Sequence, residues 1–223
     1  MLAAVLVAGP GGLAAEPTFE EAIEAEEALR ERALEVSEGE LRFLPELLGK
    51  AGQHLHHHRN DIHISPGSLI DGWVTLQQCH ENLDRVGELQ IVFNEGRSRD
   101  LRITATHAIG KAWVEGVSVQ LHDIGAGSQI CLELQSQALS PDGSGGFVLR
   151  NGPYMRRFLD GYYPMRVSQR IEYPPQLQAD SILPPPQEGF RVARESGLIQ
   201  VETVFEGRLV TRFAFRPNRT GSR

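Results

Sequence analysis

Five of the eight histidines of this 223-residue chain fall between positions 54 and 63: His54, His56, His57, His58 and His63. Neutral imidazole binds Zn, Cu or Ni, and such a density calls for a reason. In an extended chain His54, His56 and His58 point the same way, and in a helix His54 and His58 do. Either arrangement lets two or three ligands meet one ion, with His63 or His80 as further candidates. The competing reading is a polar junction whose imidazoles bond water and backbone. No carboxylate or Cys follows at a familiar ligand spacing, so a Cu or Zn site is one reading among several.

A second concentration of chemistry runs from Asn151 to Met165. Tyr154, Tyr162 and Tyr163 have the faces to stack on a ligand. Arg156 and Arg157 have the fork geometry to hold a carboxylate or sulfate, and Asp160 adds a negative charge. Asn151-Gly152 and Asp160-Gly161 frame the segment as turns. Against this stands a crossover loop whose aromatics plug one end of a β-fold. For a carbohydrate-active hydrolase the paired acids would be sought at Asp160 beside Tyr162, or Glu115 beside Trp113. If the histidine run and this loop converge on one cavity, they form a site; at opposite ends they are separate structural features.

The cysteines are Cys79 and Cys131 alone. Cys131 is in step with Gln129, Glu133 and Gln135, and Cys79 with Thr75 and Gln77, so both belong to polar strand faces. A bridge between neighbouring strands suits that placement better than two reactive thiols. Closing a loop of this length would restrict the unfolded chain by ~4 kcal/mol.

The elements that must carry these residues are mostly strands. Ile62 and Ile64, Trp73 to Gln77, and Leu89, Ile91 and Phe93 follow a period of two, as do Leu101, Ile103 and Ala105. The next such segments run over 112–121 and around Cys131, then at Phe147 and Leu149 and over 165–173. Gly116 is expected as a bulge, Asn94 to Arg97 as a hairpin turn, and Gly125 to Gly127 as a turn. Pro174-Pro175 and Pro184 to Pro186 bracket a stiff segment suited to an edge or a crossing between sheets. Segments 190–192, 199–205 and 209–215 are expected to form a meander. About ten short strands at roughly ten-residue spacing indicate an antiparallel β-sandwich over 53–216, with a barrel as the alternative.

The front of the chain differs. Residues 1–15 are small and apolar, and Leu13-Ala14-Ala15 resembles the end of a cleaved leader without its basic start. With the cysteine pair this favours a periplasmic or secreted protein over a cytoplasmic one. Thr18 and Glu21 make a capping-box pattern, and Phe19, Ile23, Leu29, Ala33 and Val36 predict a helix over 19–38. Leu41, Leu44, Leu47 and Leu48 predict a second, short helix. Together they form a helical arm over 16–52, and 217–223 is a tail.

From Glu16 to Glu46 there are eleven Glu and three Arg, a charge of −8. The whole chain carries −7, which leaves about +1 for the rest. Such a body lacks the basic face that a general nucleic-acid binder needs. After the leader no apolar run is long enough to span a membrane. The narrow apolar stripe of the arm suits a partner protein or self-association. No Gly-rich phosphate loop, Cys-x-x-Cys-His or Gly-x-Ser-x-Gly elbow is present. The function expected is therefore an exported, non-catalytic β-sandwich that binds a partner or joins a larger complex.

Overall fold

The computed structural model describes residues 39–48, 55–158 and 161–218. The expected leader, the helix over 19–38, His54 and Asp160 lie outside them. The described chain is mainly strand: β1 (Arg42–Phe43), β2 (His57–His63), β3 (Trp73–Glu81), β4 (Glu88–Val92), β5 (Ser98–Glu115), β6 (Ser118–Gln137), β7 (Leu139–Pro141), β8 (Phe147–Tyr154), β9 (Arg157–Phe158), β10 (Gly161–Tyr162), β11 (Met165–Glu172), β12 (Leu177–Leu183), β13 (Phe190–Glu195), β14 (Leu198–Glu206) and β15 (Leu209–Pro217). A one-turn helix, Ser68–Asp71, joins β2 to β3 and is closed by Gly72 at φ 77.

The strands form three open sheets and no closed barrel. The large one has the order β1-β14-β11-β2-β3-β6-β4, with β13 also on β14 and β5 also on β6. A four-stranded sheet has the order β12-β15-β8-β7, and β9 and β10 form a small ribbon. Strands β2 and β11 run parallel, whereas the other described pairs are antiparallel. One apolar cluster lies between the large and the four-stranded sheet. It draws Ile62, Leu76, Val167, Ile199 and Phe205 from the first and Leu149, Ile182, Phe213 and Phe215 from the second. Phe190, Phe205, Phe213 and Phe215 are fully buried, each side chain contributing about 1.5–3 kcal/mol by leaving water.

Strands β5 and β6 form one long hairpin. Gly116 sits at its tip with φ 59, so the turn expected downstream is here and the bulge is elsewhere. The expected turn at Gly125 to Gly127 lies inside β6 instead. There the register jumps from His107↔Gln129 to Ile109↔Ile124. The surplus residues let the hairpin fold back on itself. Phe93 N–H donates to Val117 O at the tip, and Gln137 N–H donates to Arg97 O at the base. Only the 93–97 turn separates those bonds, so tip and base are neighbours. Val119 and Leu121, near the tip on β6, consequently share a second core with Ile130 and Leu132, farther along the same strand.

Two further expectations change. The apolar repeat of 41–48 is a strand pair and one 3-10 turn, not a helix. Phe43 pairs with Phe205 at the edge of β14, and Pro45 disfavours helical geometry in the preceding Leu44, which has φ −121. The C-terminal segments are a β13–β14 hairpin followed by a change of sheet, since β15 pairs with β12 and β8. Gly207 makes that corner with φ 88, in a place where a Cβ would meet Glu40 O at 2.1 Å. The proline-bracketed segment is β12, an edge strand reached by crossing from the large sheet, as its composition implies.

Candidate functional site

The inward faces of several strands change character along their length. On β3, Val74 and Leu76 are followed by Gln78 and His80, all buried. On β2, Ile62 is preceded by Asn60 and His58. Gln169 interrupts Val167 and Ile171 on β11, and Thr211 interrupts Leu209 and Phe213 on β15. The registers set these residues side by side. His58 faces His80 and Asn60 faces Gln78 across β2 and β3, while Gln169 faces Asn60 across β11 and β2.

A buried hydrogen-bonded group results. His56 Nε2 lies 3.1 Å from His80 Nδ1, and the other nitrogen of His80 lies 2.7 Å from the Gln78 amide. The His58 ring is 4.2 Å from that of His80 and meets Tyr154 edge-on at 5.0 Å, centroid to centroid. Tyr154 Oη accepts from Asn60 Nδ2 and, at 2.6 Å, from Gln169 Nε2, which also reaches Thr211 Oγ1 at 3.1 Å. His58 Nε2 and Asn60 Oδ1 are buried without a partner.

Burial sets the charges. It lowers His56 to about 4, against the raising influence of Asp84, and lowers His58 to about 3. His80 falls well below its usual range for the same reason, with His58 and His56 adding to the effect. Burial raises Tyr154 far above a phenol's usual value. All four side chains are therefore neutral near pH 7.

The histidine run and the Tyr/Arg segment converge. A cavity of about 810 Å³ is lined by His56, His58, His80, Tyr154, Arg156 and Arg157 together. Apolar walls come from Leu83, Val86, Ile91, Met155, Phe158 and Met165. The β9–β10 ribbon lies at this end, on the connection from β8 in the small sheet to β11 in the large one. Arg156 makes its fork with a carboxylate, as its type allows, but the partner is Asp84 of the chain itself. Its Nε is 3.0 Å from Asp84 Oδ2, its Nη2 bonds Oδ1, and its Nη1 donates to Pro164 O. Arg157 lies 5.5 Å over the Tyr162 ring, and Tyr163 meets Phe158 edge-on. Tyr162 and Tyr163 thus support the ribbon and do not line the cavity.

Other candidates lie elsewhere. Odd-numbered residues of β2 face the outer surface of the sheet. His57 Nε2 is there 2.6 Å from Ser168 Oγ and its Nδ1 is 3.2 Å from Glu81 Oε2. That is the bonding order of a serine–histidine–acid relay. The amides flanking Ser168 are committed to ladders with β14 and β2, so no amide pair faces the hydroxyl to hold an oxyanion. The trio ties three strands together. His63 pairs with Glu172 at the far end of β2. Glu115 and Trp113 are near the tip of the long hairpin and do not line the cavity, with Trp113 against Lys111 and His122. Among the described residues no three His, Cys, Asp or Glu already surround a common point for a metal.

Asn60, Gln78, Gln169 and Thr211 escape a reading that looks for unusual composition. The signal is present nonetheless: each is a polar residue in step with the aliphatic face of its strand. Cys79 and Cys131 are directly opposed on β3 and β6, 4.1 Å apart at Cα, and form a disulfide. No described helix is long and apolar enough to cross a membrane.

No protein-family model matches the chain, and no curated protein matches its sequence. Among solved structures, it is similar to a two-domain M1 zinc metallopeptidase bound to L-tryptophan, at 13% identity and a TM-score of 0.42, over 76% of this chain and 44% of that one. It is also similar to an M1 zinc metallopeptidase from Deinococcus radiodurans bound to a Tyr-Ser-Ala substrate, at 12% identity and 0.39, over 74% and 43%. The chain thus spans under half the length of each, and similarity at this level carries no argument about its chemistry.

Proposed function

We propose that this chain is an exported, non-catalytic β-sandwich protein that acts by binding, with its site in the cavity where the histidine strand and the Tyr/Arg segment meet. The observation that carries the proposal is the convergence itself. His56 and Arg156, a hundred residues apart, line one cavity of about 810 Å³ beside partnerless buried polar atoms. Concave, mostly apolar cavities with a few convergent polar groups are where proteins bind small molecules. The Cys79–Cys131 bridge supports a periplasmic or secreted setting.

An NMR fragment screen on labelled protein tests the reading. Binding fragments are expected to shift the resonances of His56, His80, Tyr154 and Met155 together. A screen whose hits fall elsewhere, or that yields none, overturns it.

A protein partner is the second reading. The charge of −8 over 16–46 supports it, as do Met155 and Phe158, exposed at 42% and 41% beside the cavity. Deleting 16–50 is then expected to abolish an assembly seen by light scattering. A monomer before and after the deletion removes that reading.

A further inference from the structure

We infer that the cavity takes an uncharged amphipathic molecule, an alcohol or primary amide on a hydrocarbon body, with its polar group inward. The inference rests on the binding reading above and names the class of its ligand. Of the charged residues that line the cavity, Asp84 and Arg156 hold each other, and Glu88, Arg97, Arg150 and Arg157 are exposed. The buried lining carries no charged residue. Its polar members are Asn60, Gln78, His80 and Tyr154, and its apolar ones include Leu76, Leu83 and Met165. His56 and His58, which adjoin this group, are also neutral near pH 7. A carboxylate or ammonium brought to this end is a buried charge without a counter-charge, which hydrogen bonds alone do not offset.

The hydrogen-bonding capacity of the buried end runs in both directions. A neutral imidazole donates from one nitrogen and accepts at the other, and an amide side chain does both. Three buried atoms on lining residues have no partner: His58 Nε2, Asn60 Oδ1 and Asn151 Nδ2. The Asn60 oxygen accepts and the Asn151 nitrogen donates. A carboxylate or a ketone accepts only, and an ammonium donates only, whereas a hydroxyl or a primary amide does both. The hydrocarbon has its place as well. Leu89, Ile91 and Phe93 alternate along and just beyond β4 and line the cavity with Val86, and Met155 and Phe158 add apolar surface beside β9. A cavity of about 810 Å³ is large enough to enclose most of such a molecule.

The test is calorimetric titration of the purified full chain at pH 7 with probes that share an eight-carbon chain and differ in the head group: 1-octanol, octanamide, octanoate and octylammonium. Octanol and octanamide are expected to bind roughly tenfold or more tightly than either ion. Hexanol, two methylenes shorter, is expected to bind roughly tenfold more weakly than octanol. Bound octanol is expected to shift the NMR resonances of His80 and Tyr154 at its head and of Ile91 along its chain. His80→Leu is expected to remove the preference for octanol over the ions, and Arg157→Ala, at an exposed position, to leave it intact. The comparison of head groups needs only the native protein, so it decides the matter even if His80→Leu does not fold. Octanoate that binds more tightly than octanol and is weakened by Arg157→Ala overturns the inference and leaves the binding reading standing. Equal affinity for all four head groups does the same. Binding of none of them also overturns it: fragment hits at His56 and Met155 then keep the binding reading, and their absence ends both.

Discussion

The space between the large sheet and the four-stranded sheet has two ends built from the same strands. At one end Ile62, Ile171, Phe213 and Phe215 belong to one buried apolar cluster. At the other, the next residues along the same faces are Asn60, Gln78, His80 and Thr211, and a cavity opens beside them. Strands β2 and β3 run straight through both ends, and along them it is the side-chain type that changes. The apolar end stabilises the fold through area removed from water. The polar end must recover the cost of burying amides and imidazoles, and partnerless atoms such as His58 Nε2 show that the recovery is incomplete. The site proposed for this protein lies at that polar end.

Acid should separate the two ends most strongly. His56 and His58 are lowered to about 4 and 3 in the folded protein, whereas in the unfolded chain they take up protons near 6.5. Above that value neither state binds the proton and nothing is lost. As the pH falls from about 6.5 toward 4 the unfolded chain is favoured, by roughly 1.4 kcal/mol per pH unit for each histidine. Urea unfolding of metal-free protein at pH 7 and pH 4.5 should show a loss of several kcal/mol, and a flat profile would mean that the imidazoles are not buried.

Truncation within the apolar end comes next. Phe213→Ala is expected to cost about 3–5 kcal/mol, read from the shift in urea midpoint at constant slope. Tyr154→Phe, at the boundary between the two ends, removes the acceptor shared by Asn60 and Gln169 without opening a void. It is expected to cost about 1–3 kcal/mol and to shift the amide resonances of both partners. The smallest effect is reserved for the outer surface. Arg102 pairs with Glu133 there with 65% of its side chain exposed, and Arg102→Ala is expected to cost below about 1 kcal/mol and less still in high salt.

The strands were legible because a period of two survives in any sheet that buries one face. The same alternation placed Cys79 and Cys131 on matching polar faces, and they are bridged. Turn chemistry was less reliable. Gly125 to Gly127 reads as a reversal, yet it folds a long hairpin over on itself, because a bulge and a turn ask for the same conformational freedom. The C-terminal strands read as one meander, yet they divide between two sheets, since alternation says which face is buried and not against what.

Residue order alone thus determined the strand-rich body, the cystine and the two chemical segments, all of which follow from local spacing. Only the tertiary structure decided that His56, His58 and His80 share a cavity with Tyr154 and Arg156, while His57 and His63 turn away. It also decided that Arg156 grips Asp84, a partner that no spacing announces. The physical reason is range: a side chain's direction is set by its own strand, but its neighbours are set by the pairing of strands that can lie more than a hundred residues apart.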